Sequence, residues 1–130
     1  MLRLLALLLV CLALPVRALT LTQVAGELRH PWGLAFLPDG GYLVSERPGR
    51  LLRIDAGGER HLISGLPPLA AAGQGGLLDL ALDGEGWVYL SYSEPGDGGA
   101  GTAVARARLQ KDALVDWQLL FRQQPKVAGG

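Results

Sequence analysis

The side chain with most to offer a ligand is Gln74. It lies in the run Gly73-Gln74-Gly75-Gly76, followed at once by Leu77-Leu78-Asp79. Glycines on both sides let the backbone come close to a bound molecule. A primary amide brings two donors and an acceptor, which suits a polyhydroxylated or quinone-like ligand. The apolar run Leu77 to Leu82 predicts a strand that would anchor the loop. The same residues also suit an ordinary flexible turn, and local chemistry does not choose between the two.

Other candidates are weaker. His30 and His61 are the only histidines. They lack the paired spacing or cysteine partners of a zinc site, and structural or surface roles are expected, with no metal ligand assigned. Asp39, Asp83 and Glu85 sit among turn residues, where short polar side chains bond nearby backbone. Gly96-Asp97-Gly98-Gly99-Ala100-Gly101 matches a dinucleotide-binding pattern. That pattern functions between a strand and a helix N-terminus; here the following residues alternate like a strand, so a flexible hairpin loop is expected. No Gly-x-Ser-x-Gly elbow and no P-loop occur, which removes the usual signals of serine hydrolases and nucleotide hydrolases.

The elements that must hold Gln74 read as β throughout. Short segments rich in aromatic, β-branched and leucine residues predict strands near 33–37, 42–46, 51–55, 60–64, 77–82, 87–93, 102–109 and 115–121. Residues 102–111 have a helix-like composition, but Ala103, Ala105, Ala107 and Leu109 alternate with polar or larger residues. Period two argues for a strand, and its alanine face would let sheets approach closely. Residues 35–45 can be laid on residues 81–91 without a gap, an offset of 46. Strand–turn–strand units at such a period are the mark of propeller blades of four strands.

Length bears on that reading. The chain has 130 residues, twelve basic and twelve acidic, with zero formal net charge. This balance supplies no electrostatic attraction for nucleic acid or an anionic membrane. Residues 1–18 read as a signal peptide: a basic start at Arg3, a leucine-rich run from Leu4 to Leu14, and Val16-Arg17-Ala18 as a cleavage site. The run is shorter than the roughly 20 residues of a spanning helix, so an exported protein, periplasmic or secreted, is expected, with no stable membrane anchor. The 112 residues beyond Ala18 hold all nineteen glycines, no cysteine and a net charge of −2. A propeller has about four to eight blades, and these residues supply only about two. Residues 19–130 are therefore expected to be the N-terminal part of a propeller domain.

The ordered motifs resemble one family. His30-Pro31-Trp32-Gly33-Leu34-Ala35-Phe36-Leu37-Pro38-Asp39-Gly40 and Ser45-Glu46-Arg47-Pro48-Gly49-Arg50 are similar to the opening of the soluble aldose sugar dehydrogenases that depend on pyrroloquinoline quinone (PQQ), the glucose/sorbosone dehydrogenase family. Residues 73–79, 89–93, 101–106 and 121–126 follow in the family's order. The resemblance implies a six-bladed β-propeller, PQQ and calcium as cofactors, and oxidation of an aldose at its anomeric hydroxyl to a lactone, with electrons passed on to an acceptor. It assigns Gln74 to cofactor binding. It places the catalytic histidine, the cofactor-clamping cations and the calcium ligands beyond Gly130, so no catalytic or metal-binding residue is expected in this chain, which alone would be inactive. Two other classes fit a propeller: a non-enzymatic module binding carbohydrate or protein, and a lactonase-like hydrolase, which would need clustered acidic metal ligands.

Overall fold

The computed structural model describes residues 19–128. The expected signal peptide, residues 1–18, lies outside them. Eight strands follow in order: β1 Pro31–Phe36, β2 Tyr42–Glu46, β3 Arg50–Ile54, β4 Arg60–Ile63, β5 Leu77–Leu82, β6 Trp87–Gly96, β7 Gly99–Gln110 and β8 Ala113–Arg122. They form two antiparallel four-stranded meanders, β1-β2-β3-β4 and β5-β6-β7-β8. This is the blade arrangement that the sequence pattern predicts. No described helix is long and apolar enough to cross a membrane.

The 46-residue offset is physical. Pro31 pairs with Glu46 and Leu34 with Val44, with a register shift between them; Leu77 pairs with Tyr92 and Leu80 with Leu90, with the same shift. Each partner in the second sheet lies 46 residues beyond its counterpart. Inside both bulges a serine replaces the lost ladder bond. Ser45 Oγ accepts from the Gly33 amide at 2.8 Å, and Ser91 Oγ accepts from the Asp79 amide at 3.1 Å. A bulge leaves a backbone group unpaired, so a hydroxyl at this place is structural. The sequence repeat therefore records a shared hairpin with a shared defect.

One continuous core joins the blades. Leu43, Leu51 and Ile63 of the first pack with Leu77, Leu80, Val88 and Leu90 of the second. Ala103, Ala105 and Ala107 are all buried, and their small side chains keep that face of β7 thin against its neighbours. Burying each leucine contributes roughly 1.5–3 kcal/mol, offset by ordering the chain. Backbone bonds add to this union: the Leu77 amide donates to the Arg47 carbonyl at 3.0 Å, and the Leu114 amide to the Ser64 carbonyl at 2.9 Å.

The expected 96–101 loop is shorter than its glycines suggest. Gly96 pairs with Gly99 and Pro95 with Ala100, which leaves Asp97-Gly98 as a two-residue turn. Cross-strand pairing extends to the tip because glycine tolerates the sharp reversal. At the far edge, Leu119, Leu120 and Phe121 of β8 are exposed, as are Trp32, Leu34 and Phe36 of β1. Apolar side chains are thus exposed on β8 at one edge and on β1, the strand that packs beside β5.

Candidate functional site

Gln74 is exposed on the connection between β4 and β5, next to the β6–β7 hairpin. The loop carrying it is held from three sides. The Arg47 guanidinium donates to the Gly73 carbonyl, the Ala70 amide donates to the Ser93 carbonyl at 2.8 Å, and the Gly75 amide closes a turn onto Ala72 at 2.8 Å. Gly76 has φ +141°, and a Cβ built there would stand 1.9 Å from the Arg47 carbonyl oxygen. Only a residue without a side chain permits this approach. Gly76 thus gives the loop a tight seat against the first blade.

A groove of about 480 Å³ opens beside the loop, lined by Gln74, Ser93, Thr102, Gln123 and Val127 among others. Gln123 Oε1 accepts from the Thr102 amide at 2.9 Å. The Gln74 amide has no hydrogen-bond partner within the described protein, so it is available to a ligand. Ser93, Thr102 and Gln123 carry no local sequence signal for a site. Ser93 and Gln123 do fall in the motif blocks 89–93 and 121–126, but only the packing of residues 123–127 over the hairpin brings them together.

That packing has its own electrostatics. Arg122 grips Glu94 with two bonds of 2.6 and 2.7 Å, and Lys126 Nζ reaches the same carboxylate at 2.7 Å. The Lys126 side chain is 6% exposed. Val127 then exchanges both backbone bonds with Ala100 at 3.0 Å. The hydrogen bonds from Arg122 and Lys126 hold the Glu94 carboxyl at about 2. A carboxylate with a folded pKa below its unfolded one stabilises the fold fully above the unfolded value, and that stabilisation fades as pH falls toward the folded value. The window therefore runs from about pH 4.5 down to about 2. We expect the melting temperature to decline across it and Glu94→Gln to decline less steeply; thermal melts at a series of pH values check this. Equal slopes would show that Glu94 does not govern the wall of the groove.

Glu46, at the end of β2, is fully buried. Burial opposes its ionisation, but the Arg50 guanidinium and the Arg29 amide, each at 2.5 Å, outweigh it and keep the carboxyl below its ordinary range. With both contacts made, Glu46 is a structural pin for the segment before β1.

The other expected residues fall as their local chemistry predicts. Asp39 Oδ1 accepts from the Gly41 amide at 3.0 Å, and Asp83 Oδ1 from the Glu85 and Trp87 amides at 2.8 and 3.1 Å. His30 has φ +48°, and its carbonyl accepts from the Arg47 amide at 3.0 Å. Neither His30 nor His61 lines the groove. The groove side chains named above offer amides and hydroxyls, none of which titrates near neutral pH.

Comparison with known proteins gives a consistent picture. The sequence profile of a family described as Glucose / Sorbosone dehydrogenase matches residues 28–130. The aldose sugar dehydrogenase YliI of Escherichia coli is 47% identical over 113 residues, covering 80% of this chain and 30% of that protein. A crystal structure of glucose dehydrogenase superposes with a TM-score of 0.72 at 46% identity, over 77% of this chain and 32% of the other. The PQQ-bound aldose sugar dehydrogenase of Streptomyces coelicolor superposes with a TM-score of 0.70 at 31% identity, over 82% and 34%. The chain spans about a third of the length of each relative.

Proposed function

Because the chain belongs to the glucose/sorbosone dehydrogenase family, we propose that it forms the first two blades of a six-bladed, PQQ-dependent aldose sugar dehydrogenase. The observation that carries this reading is the unpartnered Gln74 amide on a seated loop beside a mainly apolar groove that Ser93, Thr102 and Gln123 also line. The proposed reaction converts the anomeric hydroxyl of an aldose to a lactone. Export to the periplasm or beyond, calcium as second cofactor and an external electron acceptor are parts of the same proposal.

In this reading the groove receives one edge of a planar quinone. Its acceptor oxygens match the Gln74 amide donors, and the Ser93 and Thr102 hydroxyls give or receive as needed. When bound, PQQ supplies the acceptor for the hydride leaving the sugar. This chain's share is positioning: Gln74 orients the bound molecules, and Val127 and the hairpin screen one side from water. Lys126 and Arg122 are committed to Glu94, so the charges that balance the cofactor's carboxylates come from elsewhere. With no described groove side chain able to take a proton near neutral pH, residues 19–128 alone are proposed to be inactive.

The test uses the full-length protein that carries this chain, purified without cofactor. Adding PQQ, calcium and an aldose should give dye reduction that depends on the quinone, with lactone as product. Sugar binding without any quinone-dependent reduction would support a carbohydrate-binding module instead. Recovery of the protein from the cytosol with residues 1–18 intact would overturn the proposed export.

A further inference from the structure

The β3–β4 hairpin assembles a donor set that the sequence spacing of histidines conceals. Arg53 pairs directly with His61 across the ladder, so alternate residues Arg53, Asp55, Glu59 and His61 share one face. One ligand atom each from Asp55, Glu59 and His61 lies within 4.8 Å of the other two. The Nε2 atom of His61 has essentially no exposed surface and no hydrogen-bond partner; it is the sole buried side-chain nitrogen or oxygen so placed among the described residues. Asp55 Oδ2 stands 3.5 Å from it, while Asp55 Oδ1 is taken by the Gly57 and Glu59 amides at 2.9 and 2.8 Å. One carboxylate oxygen is therefore tied to the loop and the other left toward the imidazole.

The far side of the imidazole is arranged as well. Nδ1 faces Asp112 Oδ2 at 3.8 Å, and Asp112 is fixed by Arg53 through bonds of 3.0 and 2.8 Å to Oδ1. Each ring nitrogen thus faces a carboxylate, Asp55 at Nε2 and Asp112 at Nδ1; a cation taking the place of the Nε2 proton would leave Nδ1–H to be oriented by Asp112. Ligating histidines are oriented by carboxylates in this way. Leaving Nε2 buried without a partner carries a desolvation cost, which a bound cation would relieve.

We propose that Asp55, Glu59 and His61 bind a divalent transition-metal ion of the zinc class, with Asp112 as the orienting residue. One imidazole and two carboxylates suit zinc or its first-row neighbours, whereas calcium and magnesium prefer all-oxygen sets. Three protein ligands leave a position for water. The β3–β4 hairpin residues do not line the groove of Gln74, so the site is independent of the proposed dehydrogenase activity; through Asp112, in the turn between β7 and β8, its consequence for the fold is a tie between the two blades.

The full chain, stripped of metal and kept in excess calcium, would be titrated with Zn²⁺ by calorimetry while the His61 ring resonances are followed by NMR. We expect one site with Kd below about 100 µM and a shift of the His61 ring signals. His61→Gln and Glu59→Gln should each weaken binding at least about tenfold, and Asp112→Asn about tenfold as an orienting residue does. Glu59 is exposed and bonded through its backbone, so its variant should fold. Absence of saturable Zn²⁺ binding, or equal binding by the wild type and Glu59→Gln, would overturn the proposal.

Discussion

Gln74→Ala in the full-length protein should lower quinone-dependent kcat/KM by roughly ten- to a hundredfold, the loss that follows removal of one or two hydrogen bonds worth about 1.5–3 kcal/mol in all. Its melting temperature without cofactor should stay unchanged. The two halves of this expectation come from one observation. The Gln74 side chain is exposed and bonds to no described residue, so its removal costs the fold nothing and leaves the loop on its Arg47, Ser93 and Ala72 contacts. Whatever it contributes must be contributed to a ligand. Steady-state kinetics together with PQQ titration separates the possibilities: weaker cofactor binding at unchanged kcat places the amide on the quinone, while a fall in kcat at unchanged cofactor affinity places it on the reacting sugar. A variant with wild-type kinetics would remove Gln74 from the site.

The second large effect is on stability. Gly76→Ala should destabilise the fold by about 3 kcal/mol or more, a drop in melting temperature of roughly 10 °C or more for a domain of this size. At φ +141° an L-residue is strained. The added methyl also meets the Arg47 carbonyl at 1.9 Å, and that carbonyl accepts the Leu77 amide that bridges the blades. Relief by movement would break this bond. Gly84→Ala is the control. It too has positive φ, but nothing lies within 4 Å of its Cβ, so strain alone should cost about 1 kcal/mol. Equal melting temperatures for the two variants would show that close approach at Gly76 does not hold the blades together.

Much of the fold was legible beforehand, for reasons visible at particular residues. Alternation at Ala103, Ala105 and Ala107 outweighed helix-forming composition because only a pleated strand puts all three on one face, where they are buried. The repeat at offset 46 was legible because both hairpins need a serine to satisfy a bulge, at Ser45 and Ser91. Strand ends were less legible. Trp87 to Gly96 outran its expected end because Pro95 and Gly96, ordinarily breakers, are accommodated at a hairpin tip whose partners are Ala100 and Gly99.

The site divides along the same line. Gln74 stood out because glycine on both sides of an amide is a local signal. Ser93, Thr102 and Gln123 gave no such signal, since each is a common polar residue in a strand or at its end. His61 has no second histidine or cysteine at ligand spacing among its linear neighbours, so its carboxylate company is invisible in the sequence.

What the sequence by itself determined is the β class, the two-blade repeat and the family, because periodicity, turn chemistry and ordered motifs are local properties written in consecutive residues. What only the tertiary structure decided is which distant side chains share a space: Gln74 with Gln123 across the hairpin, and His61 between Asp55 and Asp112. Those meetings depend on how one blade is set against the next, and that setting comes from Gly76 fitting beneath the Arg47 carbonyl and from a core shared by both sheets.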